Sequence, residues 1–228
     1  MAVAGQAGLA IEQVHRTAAG GTGALRQFDE LRLAAVMLLA ETLDLRDAGT
    51  AQHSRIVGTF AKHTAAALGL APDRVDRIHA AGVLHDLGKL GIADAILHKP
   101  GPLDAAEWRE IVRHPEIGAR ILEHAGMRDI AAWVRAHHER IDGRGYPKGI
   151  SGQQIPLEAR ILAVADAYEA MISDRPYRAG IPSVAAREEL IRCSGTQFDP
   201  VVVDAFLASL ERGDEGLDSA PSVEARAA

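Results

Sequence analysis

Two pairs of adjacent residues in this chain combine side chains that bind metal ions. His85 is followed directly by Asp86, and His137 is followed directly by His138, in a chain of 228 residues with ten histidines. Imidazole nitrogens and carboxylate oxygens, without a thiolate, suit hard or borderline metals such as Mn, Fe or Zn. The residue types therefore indicate metal binding before any element is assigned.

The candidate ligands lie near the ends of separate predicted helices, and facing helices of a bundle can bring such side chains to one interior site. An adjacent His–Asp pair can serve two neighbouring ions, with the carboxylate bridging them. Two ions roughly 3.5–4 Å apart clamp the attacking and leaving oxygens of a phosphoryl displacement. The candidates identified in this way are His85, Asp86, His114, His137, His138 and Asp166.

Composition and charge exclude several other classes of protein. The net charge of −6 argues against broad nucleic-acid binding, although a local basic patch could hold a small anion. A single cysteine, Cys193, excludes an intramolecular disulfide and a thiolate-rich zinc cluster, and it fits a reducing compartment. The most apolar stretch, residues 33–40, is too short to span a bilayer, and no signal peptide is evident. We expect a cytoplasmic protein with no membrane segment.

Apolar residues recur at helical spacing along most of the chain, and no strand-like alternation is evident. The pattern predicts an all-α bundle interrupted by one Gly/Pro-rich loop at residues 142–152. Asp104 and Glu107 are placed to cap the helix that contains Trp108. Helices are predicted over residues 1–15, 25–45, about 53–69, 72–86, 104–114, 115–124, 130–139, 156–173, 182–194 and 199–211.

Three regions are predicted from this pattern. Residues 1–24 form an N-terminal helix and a flexible joint, residues 25–211 form the main domain, and residues 212–228 form a disordered tail. The single loop at 142–152 then lies inside the main domain.

Several segments, in order and spacing, resemble the signatures of the HD-GYP family, a branch of the HD phosphohydrolases. The resemblance runs from about Leu33 to Leu210 and includes the Gly-Tyr-Pro loop. The matching segments are HSRIV (53–57), HDLGKLGIADAILHKPGPL (85–103), HHERIDGRGYPKGI (137–150), IPLEARILAVADAYEAMISDRPYR (155–178) and GTQFDP (195–200).

The resemblance implies an all-α HD-domain bundle with a GYP loop, a two- or three-metal centre and hydrolysis of cyclic di-GMP to linear pGpG by a metal-bridging hydroxide. Asp86 would bridge the ions. His137 and His138, which point about 100° apart on a helix, would serve different metals or different faces of the cluster. The implied metal ligands are His53, His85, Asp86, His114, His137, His138 and Asp166.

The resemblance also implies contacts to the substrate. Lys89, one helical turn after His85 if the helix continues, would touch the scissile phosphate. Arg175 and Arg178 would hold phosphates or guanines. Tyr146 could stack on a base or pack the loop, and Glu139 could support the ligands or cap the loop.

Two positions depart from the family pattern. Gly49 stands where three-metal members have a glutamate, so we expect two divalent metal ions, Fe or Mn or alternatively Zn, and slow hydrolysis of pGpG to GMP. Glu169 stands where the family commonly has aspartate.

The N-terminal helix is similar to the last helix of a GAF sensor domain. On that interpretation the helix at 25–45 is a signalling stalk that pairs in a homodimer, and the partners are sensor or diguanylate-cyclase proteins. Two alternatives to the proposed activity stay open. One is a two-metal phosphohydrolase for another nucleotide, and the other is a catalytically weak cyclic di-GMP receptor or partner-binding module.

Overall fold

The structure is a computed structural model that describes residues 36–38, 50–174 and 179–213. The predicted N-terminal helix, the flexible joint, most of the helix at 25–45 and most of the tail lie outside these residues. The described part of the chain is helical and contains no strand, which confirms the predicted fold class.

We number the helices of the described part of the chain as nine α-helices, α1 to α9, and two short 3-10 helices, η1 and η2. The α-helices are α1 Thr50–Ala67, α2 Pro72–Leu84, α3 Asp94–Leu97, α4 Ala105–Ile111, α5 His114–His124, α6 Arg128–Ala136, α7 Leu157–Ile172, α8 Ser183–Arg192 and α9 Pro200–Gly213. The 3-10 helices are η1 Leu87–Gly91 and η2 Gly152–Gln154.

The core forms where α1 packs against α2, α7 and α9, while α5 packs against α6 and η1. Aliphatic side chains dominate it, since aromatic residues make up only 4% of the chain. One aromatic cluster adds to them: the rings of Phe60, Tyr168 and Phe206 lie 5.0–5.7 Å apart in edge-to-face contacts. This cluster joins α1, α7 and α9, the first and last of which are far apart in sequence. None of the described helices has the length and apolar character needed to cross a bilayer.

The prediction that α2 continues through His85 and Asp86 is wrong. The helix ends at Leu84, and the chain turns into η1. A Cβ atom added at Gly88 would lie only 1.8 Å from the carbonyl oxygen of His114. The turn therefore allows the backbone after Asp86 to pack directly against the start of α5.

The predicted end of α6 at Glu139 is also wrong, since the helix ends at Ala136. The Gly/Pro-rich loop folds back onto the residues that follow the helix. A Cβ atom at Gly145 would lie 2.4 Å from the amide nitrogen of Arg140, and Tyr146 donates its backbone N–H to the carbonyl of His138 at 3.1 Å. Continuation of the helix would remove this docking surface.

Candidate metal centre

Seven predicted ligands come together from five parts of the fold. They are contributed by α1, by the turn between α2 and η1, by the first residue of α5, by the turn after α6 and by the middle of α7. Their ligand atoms form three overlapping groups, and within each group the atoms lie within 4.8 Å of one another. The groups are His53–His85–Asp86, His85–His137–Asp166 and His114–His137–His138.

Three of the histidines are oriented in the same way. In His85, His114 and His137, Nδ1 contacts the backbone carbonyl oxygen of the residue three positions earlier, at 2.6, 2.7 and 2.5 Å respectively. A carbonyl only accepts, so Nδ1 carries the proton and Nε2 has the free lone pair.

The Nε2 atoms of these three histidines are buried and make no hydrogen bond to any described residue. A buried polar atom without a partner costs about 1–3 kcal/mol. Three such lone pairs in one site are what a divalent cation would satisfy. The donor set therefore fits the metal ions that the sequence predicts.

Asp86 lies between two of these histidines. Its Oδ2 atom is 3.4 Å from Nε2 of His85, and its Oδ1 atom is 3.3 Å from Nε2 of His114. Burial would raise the pKa of Asp86, but Lys89 and the two histidines hold it well below its usual range. The carboxylate is therefore ionised and presents one oxygen to each side, as a bridging ligand does.

Lys89 faces the same site, although not by the route that the sequence suggested. It lies in η1, not one turn along a continued α2, and its Nζ donates to Oδ2 of Asp86 at 2.5 Å. The ammonium group is thus next to the predicted bridging carboxylate.

His137 and His138 follow the end of α6 and do not diverge around a helix. Their ring centroids lie 3.9 Å apart with the planes at 41°. Burial lowers the pKa of His137 well below its usual range and that of His138 to about 4. Both rings are therefore neutral near pH 7, which metal ligation requires. That they serve different metals stays a prediction.

His53 closes the site from α1 and contacts two carboxylates. Its Nε2 lies 3.1 Å from Oδ1 of Asp166, and its Nδ1 contacts Oε2 of Glu169. Burial would lower the pKa of His53, but these two contacts raise it to about 9, so ligation of a metal ion by Nε2 requires the release of a proton. Glu169 is itself buried, and Ser173 donates its hydroxyl to Oε1 at 2.6 Å.

Sequence reasoning noted Glu169 only as a departure from the family pattern and gave it no role. Its position one helical turn after Asp166 places both carboxylates on the same face of α7, and that spacing was the available signal. Glu169 orients the ring of His53 and supports a predicted ligand in this way.

The Gly/Pro-rich loop forms one wall of the site. The Tyr146 ring lies 4.7 Å from that of His138 with the planes at 32°, and burial raises the pKa of its phenol. Glu139 is buried and accepts the backbone N–H of Lys148 at 2.7 Å. Of its two predicted roles, the structure therefore favours capping of the loop.

The two predicted substrate-binding arginines, Arg175 and Arg178, lie outside the described residues. So does His15. Four other histidines lie within the described residues, had no predicted role and belong to none of the three ligand groups. They are His63, His79, His98 and His124.

Comparisons with known proteins identify a matching family and several relatives. The profile of the HD domain family matches residues 37–202. A cyclic di-GMP phosphodiesterase response regulator of Xanthomonas campestris, RpfG, is 40% identical over 186 residues, which cover 80% of this chain and 49% of that protein. A 3'3'-cGAMP-specific phosphodiesterase 2 of Vibrio cholerae is 39% identical over 74% of this chain and 33% of its own length.

A solved structure has the same fold. The crystal structure of a cyclic GMP-AMP-specific phosphodiesterase of V. cholerae, V-cGAP3, matches with a TM-score of 0.62 at 17% identity, over 85% of this chain and 51% of that one. The chain thus spans a third to about half of the length of these relatives.

Proposed function

Because the chain belongs to the HD-domain family, we propose that it is a metal-dependent phosphodiesterase that hydrolyses cyclic di-GMP to linear pGpG. The observation that carries the proposal is the set of three buried, unpartnered Nε2 atoms of His85, His114 and His137, two of which lie on either side of Asp86. The names of the curated relatives support a cyclic dinucleotide as the substrate.

Two divalent ions fit the donor set, and all seven predicted ligands would hold them. When bound, such ions lower the pKa of a water so that it can attack phosphorus, and they offset the charge that develops on the phosphoryl oxygens. The ligands are His53, His85, Asp86, His114, His137, His138 and Asp166.

The chain itself supplies orientation and charge. The ionised Asp86 faces a histidine on each side, and Lys89 beside it can donate to a phosphate oxygen of the substrate. Tyr146 closes the side of the site next to His138. Arg175 and Arg178 are proposed to hold phosphates or guanines, since the guanidinium fork matches both.

The test is turnover of cyclic di-GMP by anaerobically purified protein supplied with Mn(II) or Fe(II), with the product identified by chromatography. We expect pGpG from the wild type and a loss of at least a hundredfold in His85→Ala and Asp86→Asn. His98→Ala is the matched control, because this exposed histidine belongs to no ligand group and should retain full activity. Binding without turnover in the metal-loaded wild type would contradict the enzyme proposal and favour the receptor alternative.

A second candidate substrate is 3'3'-cGAMP, because a relative that is 39% identical is named as a phosphodiesterase specific for it. Parallel kcat/KM measurements with the two cyclic dinucleotides decide between them. A preference for cGAMP of tenfold or more would replace cyclic di-GMP in the proposal and leave the metal chemistry unchanged. Activity on neither, with turnover of another nucleotide, would favour the broader phosphohydrolase alternative.

The expected number of metals, two, and slow onward hydrolysis of pGpG also belong to this proposal, as do a cytoplasmic location and sensor or cyclase partners. Metal content per chain, measured after reconstitution, tests the first of these. Three equivalents per chain would contradict the interpretation of Gly49.

A further inference from the structure

Trp108 is exposed although it is one of only two tryptophans in a chain with few aromatic residues. Its exposed fraction is 53%, whereas Trp133 is 8% exposed. The other large apolar side chains exposed in the described part of the chain are aliphatic. A large aromatic surface left in water suggests a ligand-binding role when it adjoins a site.

Trp108 adjoins the candidate metal centre through a row of contacting rings. Its ring centroid lies 6.2 Å from that of Tyr146, which in turn lies 4.7 Å from that of His138. By these two separations the indole lies within about 11 Å of a predicted metal ligand. The row therefore leads from the metal site to the surface.

The indole is carried on a helix with a fixed start. Asp104 accepts the backbone N–H groups of Ala106 and Glu107, and Glu107 reaches back to the backbone N–H of Asp104. Lys99 also donates to Glu107 at 2.5 Å and ties the preceding loop to α4. The backbone that carries the indole is therefore already ordered, so less freedom is lost when a planar ligand packs on the ring.

We propose that Trp108 is a stacking platform for one purine base of the cyclic dinucleotide, with the phosphodiester at the metal ligands. The inference rests on the proposed function and adds a base subsite to it. The planes of Trp108 and Tyr146 stand at 77° and form two walls of one corner, so a base stacked on the indole presents an edge to the phenol.

Stacking on an aromatic ring is tolerant of the base, because every base has a π-face. The platform should therefore contribute affinity for guanine and adenine alike. The platform makes the affinity for a cyclic dinucleotide higher than the affinity for a phosphodiester that lacks a base. By general magnitudes, loss of one such contact lowers affinity roughly 5- to 150-fold.

The test compares Trp108→Ala and Trp108→Phe with the wild type on two substrates, cyclic di-GMP and methyl p-nitrophenyl phosphate, a phosphodiester without a nucleobase. We expect Trp108→Ala to raise KM for cyclic di-GMP at least fivefold and to change kcat/KM for the small diester less than twofold. Trp108→Phe should recover most of the loss. Val184→Ala, which removes an exposed apolar side chain of α8 outside this ring row, is the control.

A second measurement reads the contact directly. Trp108 and the buried Trp133 are the only tryptophans, so under excitation selective for tryptophan, mixing wild-type protein with cyclic di-GMP should quench the emission within the first turnover, and Trp108→Phe should lose that quenching. An unchanged KM in Trp108→Ala, equal losses on both substrates, or full quenching in Trp108→Phe would each overturn the inference. Failure of the wild type to hydrolyse either substrate would instead overturn the proposed function.

Discussion

Three histidines of this site each have Nδ1 bonded to a backbone carbonyl and Nε2 buried without a hydrogen bond to a described residue. The sequence predicted His85, His114 and His137 as ligands from residue type and from their places near helix ends. It could not predict which nitrogen would bind, because that depends on the carbonyl three residues earlier and on a local turn. It also gave no role to Glu169, whose partner His53 lies 116 residues away in sequence.

Glu169 offers the sharpest test at this scale. Glu169→Gln removes the negative charge next to the Nδ1 atom of His53 and should weaken metal binding or turnover about 10- to 100-fold, as loss of an outer partner of a ligand does. Metal content and kcat of the reconstituted protein check this. Ser173→Ala, which removes only the hydroxyl that supports Glu169, should have a smaller effect. Equal activity in Glu169→Gln and the wild type would contradict the supporting role.

Among the elements, the Gly/Pro-rich loop shows what sequence pattern can and cannot predict. The glycine and proline residues at 142–152 predict a loop there, but the segment that holds the loop in place is distant in sequence. Ile141 and Asp142 donate their backbone N–H groups to the carbonyls of Gln197 and Thr196, at 3.3 and 2.9 Å. Local propensity cannot predict a contact between residues that are more than fifty positions apart in sequence.

The side chain of Gln197 should help to hold this loop. Its Oε1 accepts a hydrogen bond from Nη1 of Arg140 at 2.8 Å. Gln197→Ala should speed amide exchange of the peptide that contains Ile141 about fivefold, since one hydrogen bond contributes about 1 kcal/mol. Thr196→Ala is the control, because that hydroxyl bonds only within its own turn, to Cys193. Equal exchange in both variants would show that the backbone contacts alone fix the loop.

At the scale of the whole molecule, helical periodicity predicted the fold class and most of the helices that the structure describes. The short α3 was not predicted, and the errors next to the site lie at the ends of α2 and α6, where Gly88 and Gly145 allow close backbone packing. Such ends depend on contacts between elements rather than on the periodicity within one. Both errors fall beside predicted ligands, where tertiary contacts outweigh local propensity.

The aromatic cluster that joins α1, α7 and α9 should contribute much of the stability of the bundle. Phe206 is fully buried on α9 and contacts Phe60 and Tyr168. Phe206→Ala should lower the free energy of unfolding by about 3–5 kcal/mol, by analogy with other large-to-small core changes. Urea denaturation measures the change. Val201→Ala on the exposed side of the same helix should stay within about 0.5 kcal/mol, and a similar loss in both variants would contradict this account.

The most direct test of the central claim is turnover of cyclic di-GMP before and after removal of metal. The same preparation is stripped with a chelator, assayed, and assayed again after Mn(II) or Fe(II) is restored. The account predicts no turnover in the stripped protein and recovery of pGpG formation on reloading, because the buried Nε2 atoms of His85, His114 and His137 then have their partner. Undiminished turnover by protein shown to contain no metal would contradict it.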